Sequence, residues 1–174
     1  MNSVRNTLLA AFCLTISVSL YGQDFLGVWR QYTSRSALGL EAVATEYIEI
    51  MEGGTTRDRV FMVIRKVGDE NTSNHLNWRV DSKGVWATKD DVLTLTFDNK
   101  SVTTEALEMP GSIPQFAIST LTKAILTAFR SETKNPIHYK IISLTTDAMQ
   151  LRPLDNPSTT ATSDYTRITD RQVF

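Results

Sequence analysis

Imidazole and thiol groups are scarce in this chain of 174 residues. It has two histidines, His75 and His138, and one cysteine, Cys13. A tetrahedral zinc site within one chain needs more such ligands, and a lone cysteine cannot form an internal disulfide. We therefore expect the protein to bind no metal and no cofactor.

The short sequence signatures of common catalytic sites are also missing. The chain contains no G-x-S-x-G, no H-E-x-x-H and no glycine-rich motif for a nucleotide phosphate. His75 follows the polar stretch 71–74, which is typical of a solvated loop. Glu46 and Glu49 fall on opposite faces of a strand, so they cannot act together as an acid and a base. The sequence predicts a protein that is not an enzyme.

The charge balance excludes another class of function. There are 18 lysines and arginines against 19 aspartates and glutamates, which gives a formal net charge of -1. A protein that binds nucleic acid usually presents a basic stripe to the phosphate backbone. We expect no nucleic-acid partner, and nothing in the balance points to a strongly charged protein partner.

Residues 1–22 have the pattern of a secretory signal peptide. Arg5 is followed by an apolar run over 8–20, and the small Gly22 precedes the expected cleavage at Gln23. A transmembrane anchor needs about 20 consecutive apolar residues. This run is shorter and is interrupted by hydroxyl side chains.

Cys13 does not fit the lipid-attachment site of a bacterial lipoprotein. The bulky Phe12 precedes it, and cleavage there would cut through the apolar run. We therefore predict a secreted or periplasmic protein that is not a lipoprotein. No Gly/Ser-rich or Pro-rich linker divides the mature chain. Residues 23–174 should form a single domain without a transmembrane segment.

From Asp24 onward, apolar and polar residues alternate with period two between regularly spaced turn residues, a pattern typical of a β-sandwich or barrel. Most connections are short, which predicts antiparallel neighbours. The predicted strands are 25–33, 45–51, 59–67, 78–81, 85–88, 92–97, 101–107, 139–144, 148–152 and 162–168. The fold class is therefore all-β, an antiparallel up-and-down β-barrel of about eight strands.

One segment, 113–130, has helical periodicity instead. Ser112 and Gln115 have the spacing of a capping box at its start. Its apolar stripe consists of Ile118, Leu121, Ile125 and Phe129. The stretch 60–64 is apolar on both faces, so we expect the helix to cover the outer face of that strand as a buttress. The alternative is a lid over the mouth of the barrel.

Two motifs at the ends of the mature chain carry a family resemblance. Gly27-Val28-Trp29 gives a G-x-W on the first strand, and Arg167 lies on the last. This resembles the lipocalins, and more closely the small secreted bacterial lipocalin-like domains of about this length. The resemblance implies that Trp29 closes one end of the barrel and that Arg167 lies over its indole. Such stacking of a guanidinium on an aromatic ring is favourable in itself.

The resemblance also implies an interior that holds a small apolar or amphipathic ligand. The apolar face of each strand supplies the expected inward residues: Phe61, Val63, Trp78, Val80, Leu93, Leu95, Phe97, Met149 and Leu151. A cavity of about 300 Å³ or more would favour a ligand. The alternative is that these side chains fill the barrel, which would then serve as an envelope or surface interaction module without a small-molecule ligand.

Overall fold

The alternating pattern folds into nine strands and one long helix. A computed structural model describes residues 24–155, 161–169 and 173–174; the predicted signal peptide, residues 1–22, lies outside them. The elements are β1 (Gly27–Ala37), β2 (Leu40–Ile50), β3 (Thr55–Lys66), β4 (Leu76–Lys89), β5 (Val92–Phe97), β6 (Thr103–Ala106), α1 (Gln115–Glu132), β7 (Ile137–Leu144), β8 (Ala148–Pro153) and β9 (Ser163–Ile168).

Eight of these strands close into an antiparallel barrel, as the sequence predicts. The ring runs β1-β2-β3-β4-β5-β7-β8-β9 and returns to β1. The ninth strand, β6, pairs with residues 78–81 of β4, beyond the part of β4 that pairs with β5. β9 pairs with β1 only over residues 28–30. The remainder of β1 therefore has only β2 as a paired neighbour within the described residues.

The predicted turn at residues 82–84 is wrong, because β4 runs through it without interruption. Gly84 suggested a hairpin, but its role is to let β5 approach. A Cβ built on Gly84 would lie 2.2 Å from the backbone oxygen of Thr96. The glycine is thus required by the contact between two strands, and the two predicted strands 78–81 and 85–88 are one.

The first hairpin extends further than the sequence predicts. β1 and β2 are joined by the two-residue turn Leu38-Gly39, in which both residues have positive φ, 53° and 76°. This geometry matches the twist of the flanking strands and normally selects Asn or Gly. Leucine gives no such signal, so the predicted strands 25–33 and 45–51 stopped short of the turn.

Two apolar clusters occupy the two halves of the barrel. We call the first the Trp29 cluster; its buried members are Phe25, Trp29, Ile48, Ile50, Leu93, Leu95, Phe97, Met149, Leu151 and Tyr165. The second, the helix cluster, consists of the buried Val60, Val80 and Val102 with Ala44, Ile125, Leu126 and Phe129 packed against them. The helix therefore contributes to the interior of the molecule.

The start and the apolar face of α1 differ from the predicted ones. Pro114 precedes the first helical residue, and no side chain caps the N-terminus of the helix, so the predicted capping box is absent. Leu121 of the predicted stripe is 40% exposed, and Leu126 takes its place in the helix cluster. The stripe is thus displaced by about one residue around the helix.

The position of α1 also corrects the expected buttress. Its side chains pack on Val60 and Val80, which face the barrel interior, and not on the outer face of β3. Trp78, another inward residue, donates a hydrogen bond from its indole nitrogen to the Thr122 hydroxyl, at 3.1 Å. The helix therefore closes the interior at the end opposite Trp29.

Candidate binding site

The end of the barrel at Trp29 is closed by packing and by a stacked cation. Trp29 is completely buried, and its indole nitrogen donates to the Phe25 carbonyl at 2.7 Å. The Arg167 guanidinium lies 4.5 Å from the centre of the indole ring and also donates to the Asp24 carbonyl. The structure thus brings together the two residues that the family resemblance pairs.

Most of the predicted interior residues are buried in the barrel. These are Trp78, Val80, Leu93, Leu95, Phe97, Met149 and Leu151. Phe61 and Val63 are not among them, because Val60 and Met62 take the inward positions on β3, opposite Val80 and Trp78. The stretch is apolar on both faces, so its pattern does not indicate which face turns inward.

The interior beside the Trp29 cluster is filled. Leu93, Leu95, Met149 and Leu151 each expose at most 1% of their surface. The wall of a solvent-sized cavity is accessible surface, so these residues cannot line a ligand cavity of about 300 Å³. The helix cluster is closed in the same way, because Val80 and Val102 expose only 2% and 1% of their surface. Room for a guest there requires the helix to move.

A group of polar side chains separates the two apolar clusters. We call it the polar layer, and it consists of Glu46, Asp58, Ser82, Tyr139 and Tyr165. The Tyr165 hydroxyl donates to Glu46 Oε2 at 2.9 Å. Glu46 lies opposite Val60 and Asp58 opposite Ile48, so the two acids are diagonal neighbours on β2 and β3, about 7–8 Å apart and within reach of each other's charge.

Burial raises the pKa of both carboxyl groups in the polar layer. For Glu46 the hydrogen bond from Tyr165 offsets part of this effect. For Asp58 the negative charge of Glu46 adds to burial and holds the pKa well above its usual value. Burial also raises the pKa of Tyr139, and the charges of Glu46 and Asp58 add to the shift. Tyr139 lies opposite Leu93, on the inward face of β7. The layer as it stands favours protonated carboxyls.

Several polar atoms in and beside the layer have no hydrogen-bond partner. Asp58 and Ser82 are 8% and 5% exposed, and Asp58 Oδ1 and Ser82 Oγ are both unpaired. Ser82 lies directly opposite Asp58, where its hydroxyl favours the ionised acid without meeting hydrogen-bond geometry. Thr104 Oγ1, on the neighbouring β6, is likewise buried and unpaired. Buried polar groups without partners usually mark bound water, an ion or a ligand.

A groove with an apolar lining lies on the outside of the barrel. It has a volume of about 580 Å³ and crosses β3, β4 and β6. Phe61 and Val63 form one side, and Glu105 and Leu107 form the other. Two residues predicted to line the interior thus line an external groove instead.

The two histidines have local structural contacts. His75 was expected in a solvated loop, but it is buried, and its Nε2 lies 3.1 Å from the Asp69 carbonyl oxygen. His138 Nδ1 lies 3.1 Å from the Thr94 hydroxyl. Neither ring contacts a carboxylate in these hydrogen bonds. Among the described residues, no three His, Cys, Asp or Glu side chains converge in a way that could hold a metal ion.

The sequence reasoning missed the polar layer because of the face assigned to β3. With Val60 inward, the period-two rule turns Asp58 and Thr56 inward as well. Glu46 follows by the same rule from Ile48 and Ile50 on β2. An acid that recurs on the apolar face of two adjacent strands was therefore the available signal.

Comparison with known proteins adds no family assignment. Within the described ranges, which omit 1–23, 156–160 and 170–172, no helix has the length and apolarity that a membrane crossing requires. The closed eight-stranded barrel is compatible with a lipocalin-like fold. No family model matches the chain, and no curated protein matches it.

Proposed function

We propose that the protein is a secreted or periplasmic lipocalin-like barrel that binds a small amphipathic ligand non-covalently and has no enzymatic activity. The observation that supports this proposal is the set of unpaired, buried polar atoms at Asp58 and Ser82 beside the helix cluster. A polar site adjoining an apolar one suits a ligand with a polar head and an apolar body.

The ligand would enter on the side that the helix closes. The Trp29 end is filled and capped by Arg167, whereas no helix residue is fully buried and Phe129 and Leu126 are partly exposed. The proposal therefore assigns α1 the role of a lid. Its apolar side chains cover Val60, Val80 and Val102 in the empty protein and separate from these valines when a ligand enters.

A neutral fluorescent apolar probe, N-phenyl-1-naphthylamine, tests the proposal. We expect saturable binding of one probe per chain. Phe129→Ala should speed association and dissociation because Phe129 packs in the helix cluster. Phe61→Ala is the matched control, since Phe61 lies on the outer face of β3, and it should leave both rates unchanged. Absence of saturable binding would contradict the proposal.

The alternative is a filled barrel that docks a protein partner. The external groove of about 580 Å³ favours it, because Phe61, Val63 and Leu107 give that groove an apolar lining. Under this alternative, Phe61→Ala would weaken the partner interaction and Phe129→Ala would not. The two functions are therefore distinguished by which variant changes binding: Phe129→Ala for the ligand, or Phe61→Ala for the protein partner.

A further inference from the structure

The polar layer contains two acids and no cation. Glu46 receives a hydrogen bond from Tyr165, and none of the ion pairs among the described residues involves Glu46 or Asp58. The charges that act on Asp58 are those of Glu46 and of Asp81, the neighbour of Ser82 on β4, and both are negative. The layer is thus an uncompensated acidic site inside a barrel.

The other groups of the described residues that influence the two phenols of the layer are also neutral or acidic. Tyr139 from β7 and Tyr165 from β9 present phenol groups, and Asp155 and Glu132 act on Tyr139 from beyond the layer. A buried carboxylate without a counter-ion is costly, so an acid of this kind either stays protonated or pairs with a cation. The first state suits the empty protein, and the second would require a guest.

The unpaired atoms point to a guest that donates hydrogen bonds. Asp58 Oδ1 can accept a hydrogen bond, and so can the hydroxyl oxygens of Ser82 and Thr104. Ser82 is 5% exposed and lies opposite Asp58, so it is directed at the same site. An anionic guest would meet two acids that no ion pair within the described part of the chain offsets. An ammonium group offers both the N–H donors and the compensating charge.

We infer that the polar layer binds the ammonium head of an amphipathic organic amine, with Glu46 and Asp58 facing the nitrogen. The apolar part of the amine then lies in the helix cluster, beside Val60 and Val80. The inference rests on the proposed function and names the chemical class of its ligand. A carboxyl that is protonated in the empty protein ionises on binding and releases its proton to the solvent.

Three ligands with an eight-carbon alkyl chain and different polar head groups test the inference. The purified mature protein is titrated calorimetrically at pH 6 with n-octylammonium, 1-octanol and octanoate below their aggregation concentrations. We expect octylammonium to bind about tenfold or more tightly than 1-octanol, the least that a charge-assisted hydrogen bond contributes. Octanoate should bind most weakly.

Variants locate the site. Asp58→Asn and Glu46→Gln should each weaken octylammonium binding by about thirtyfold or more, as truncating one partner of a buried charge pair does, and should leave 1-octanol binding unchanged. Glu49→Gln is the matched control, because Glu49 lies on the same strand as Glu46 but pairs with Arg57 outside the barrel. It should change no affinity. The comparison of three heads needs only the unmodified protein, so it stands if a variant fails to fold.

The outcomes separate the two proposals. A preference for octylammonium that Asp58→Asn abolishes supports the inference. If 1-octanol or octanoate binds as tightly as octylammonium, the ammonium inference is wrong and the proposed ligand-binding function stands. If none of the three binds to the unmodified protein, both proposals fall.

Discussion

The outer and inner faces of the wall formed by β2, β3 and β4 differ in how their acidic side chains are paired. Outside the barrel, Glu49 pairs with Arg57 at 2.6 Å, and Asp81 bridges Arg59 and Arg79 at 2.5 and 2.9 Å. Inside, Glu46 and Asp58 on the same strands have no cationic partner among the described residues. These strands can provide cations, yet every arginine between residues 55 and 66 is on the outer face. Stability alone therefore does not account for the inner acids.

Their energetics differ for the same reason. A half-exposed ion pair contributes about 0.2–1 kcal/mol, because water and salt screen it. A buried, unpaired acid lowers stability once it ionises. Glu46 and Asp58 lie on the apolar face of two adjacent strands, and Ser82, opposite Asp58 on β4, is unpaired. This part of the wall is therefore the one to test for function.

The largest expected difference between the two faces concerns aromatic side chains. Trp29→Ala should destabilise the protein by about 3–5 kcal/mol, the range for an aromatic residue truncated in a core, because Trp29 is fully buried and carries the Arg167 guanidinium. Phe61→Ala, on the outer face, is the matched variant and should cost clearly less. Urea unfolding measures both. An equal loss in the two variants would remove the distinction between a filled interior and a half-exposed wall.

How far the sequence predicts this molecule depends on how clearly each strand distinguishes its faces. β5 alternates strictly, so Leu93, Leu95 and Phe97 were placed inward by pattern alone. β3 is apolar on both faces over 60–64, and the inward face was assigned to Phe61 and Val63 instead of Val60. That one-residue difference also turned Asp58 outward and concealed the polar layer. The wrong turn at Gly84 has another reason, because glycine is favoured both in turns and where two strands approach closely.

The sequence predicts the order of the strands in the sheet less well than it predicts which segments are strands. Short connections predicted antiparallel neighbours, but nothing local shows that β5 pairs with β7 and that β6 stands outside the ring. The position of α1 depends on that topology, because the helix contacts β6 and packs on Val60 and Val80 of β3 and β4. An amphipathic stripe indicates that a helix is covered on one side and does not indicate which surface covers it.

The next effect is a pH dependence that only the inner face should produce. The pKa values of Glu46 and Asp58 are raised in the folded protein, so the folded state binds more protons than the unfolded state. The contribution of these two acids to stability should therefore be greatest below about pH 4, the ordinary pKa range of these groups. It should fall as the pH rises toward the folded-state pKa values, which is opposite in sign to the contribution of Glu41 and Asp69, whose pKa values are lowered. Urea unfolding at a series of pH values measures this slope.

Replacing an inner acid with its amide should remove its part of the slope. Asp58→Asn should match the wild type at pH 4 and exceed it at neutral pH by about 1–3 kcal/mol, the cost of a buried group that lacks partners. Asp91→Asn is a suitable control, since Asp91 is exposed and pairs with Lys140 at 3.2 Å. A wild-type stability that rises between pH 4 and 7, with no change in Asp58→Asn, would show that the inner acids are satisfied in the folded protein.

The smallest effect is expected for the outer ion pairs, and a double-mutant cycle isolates it. Arg57 and Glu49 lie opposite each other on β3 and β2 and are 41% and 17% exposed. Solvent screens such a pair, so the coupling energy from Arg57→Gln, Glu49→Gln and the double variant should be about 0.2–1 kcal/mol. It should shrink further in about 1 M salt, where the Debye length falls to about 3 Å. A coupling energy above about 2 kcal/mol that does not change with salt would mean that the pair of Arg57 and Glu49 is effectively buried. The contrast between a screened outer face and an unscreened inner one would then have to be abandoned.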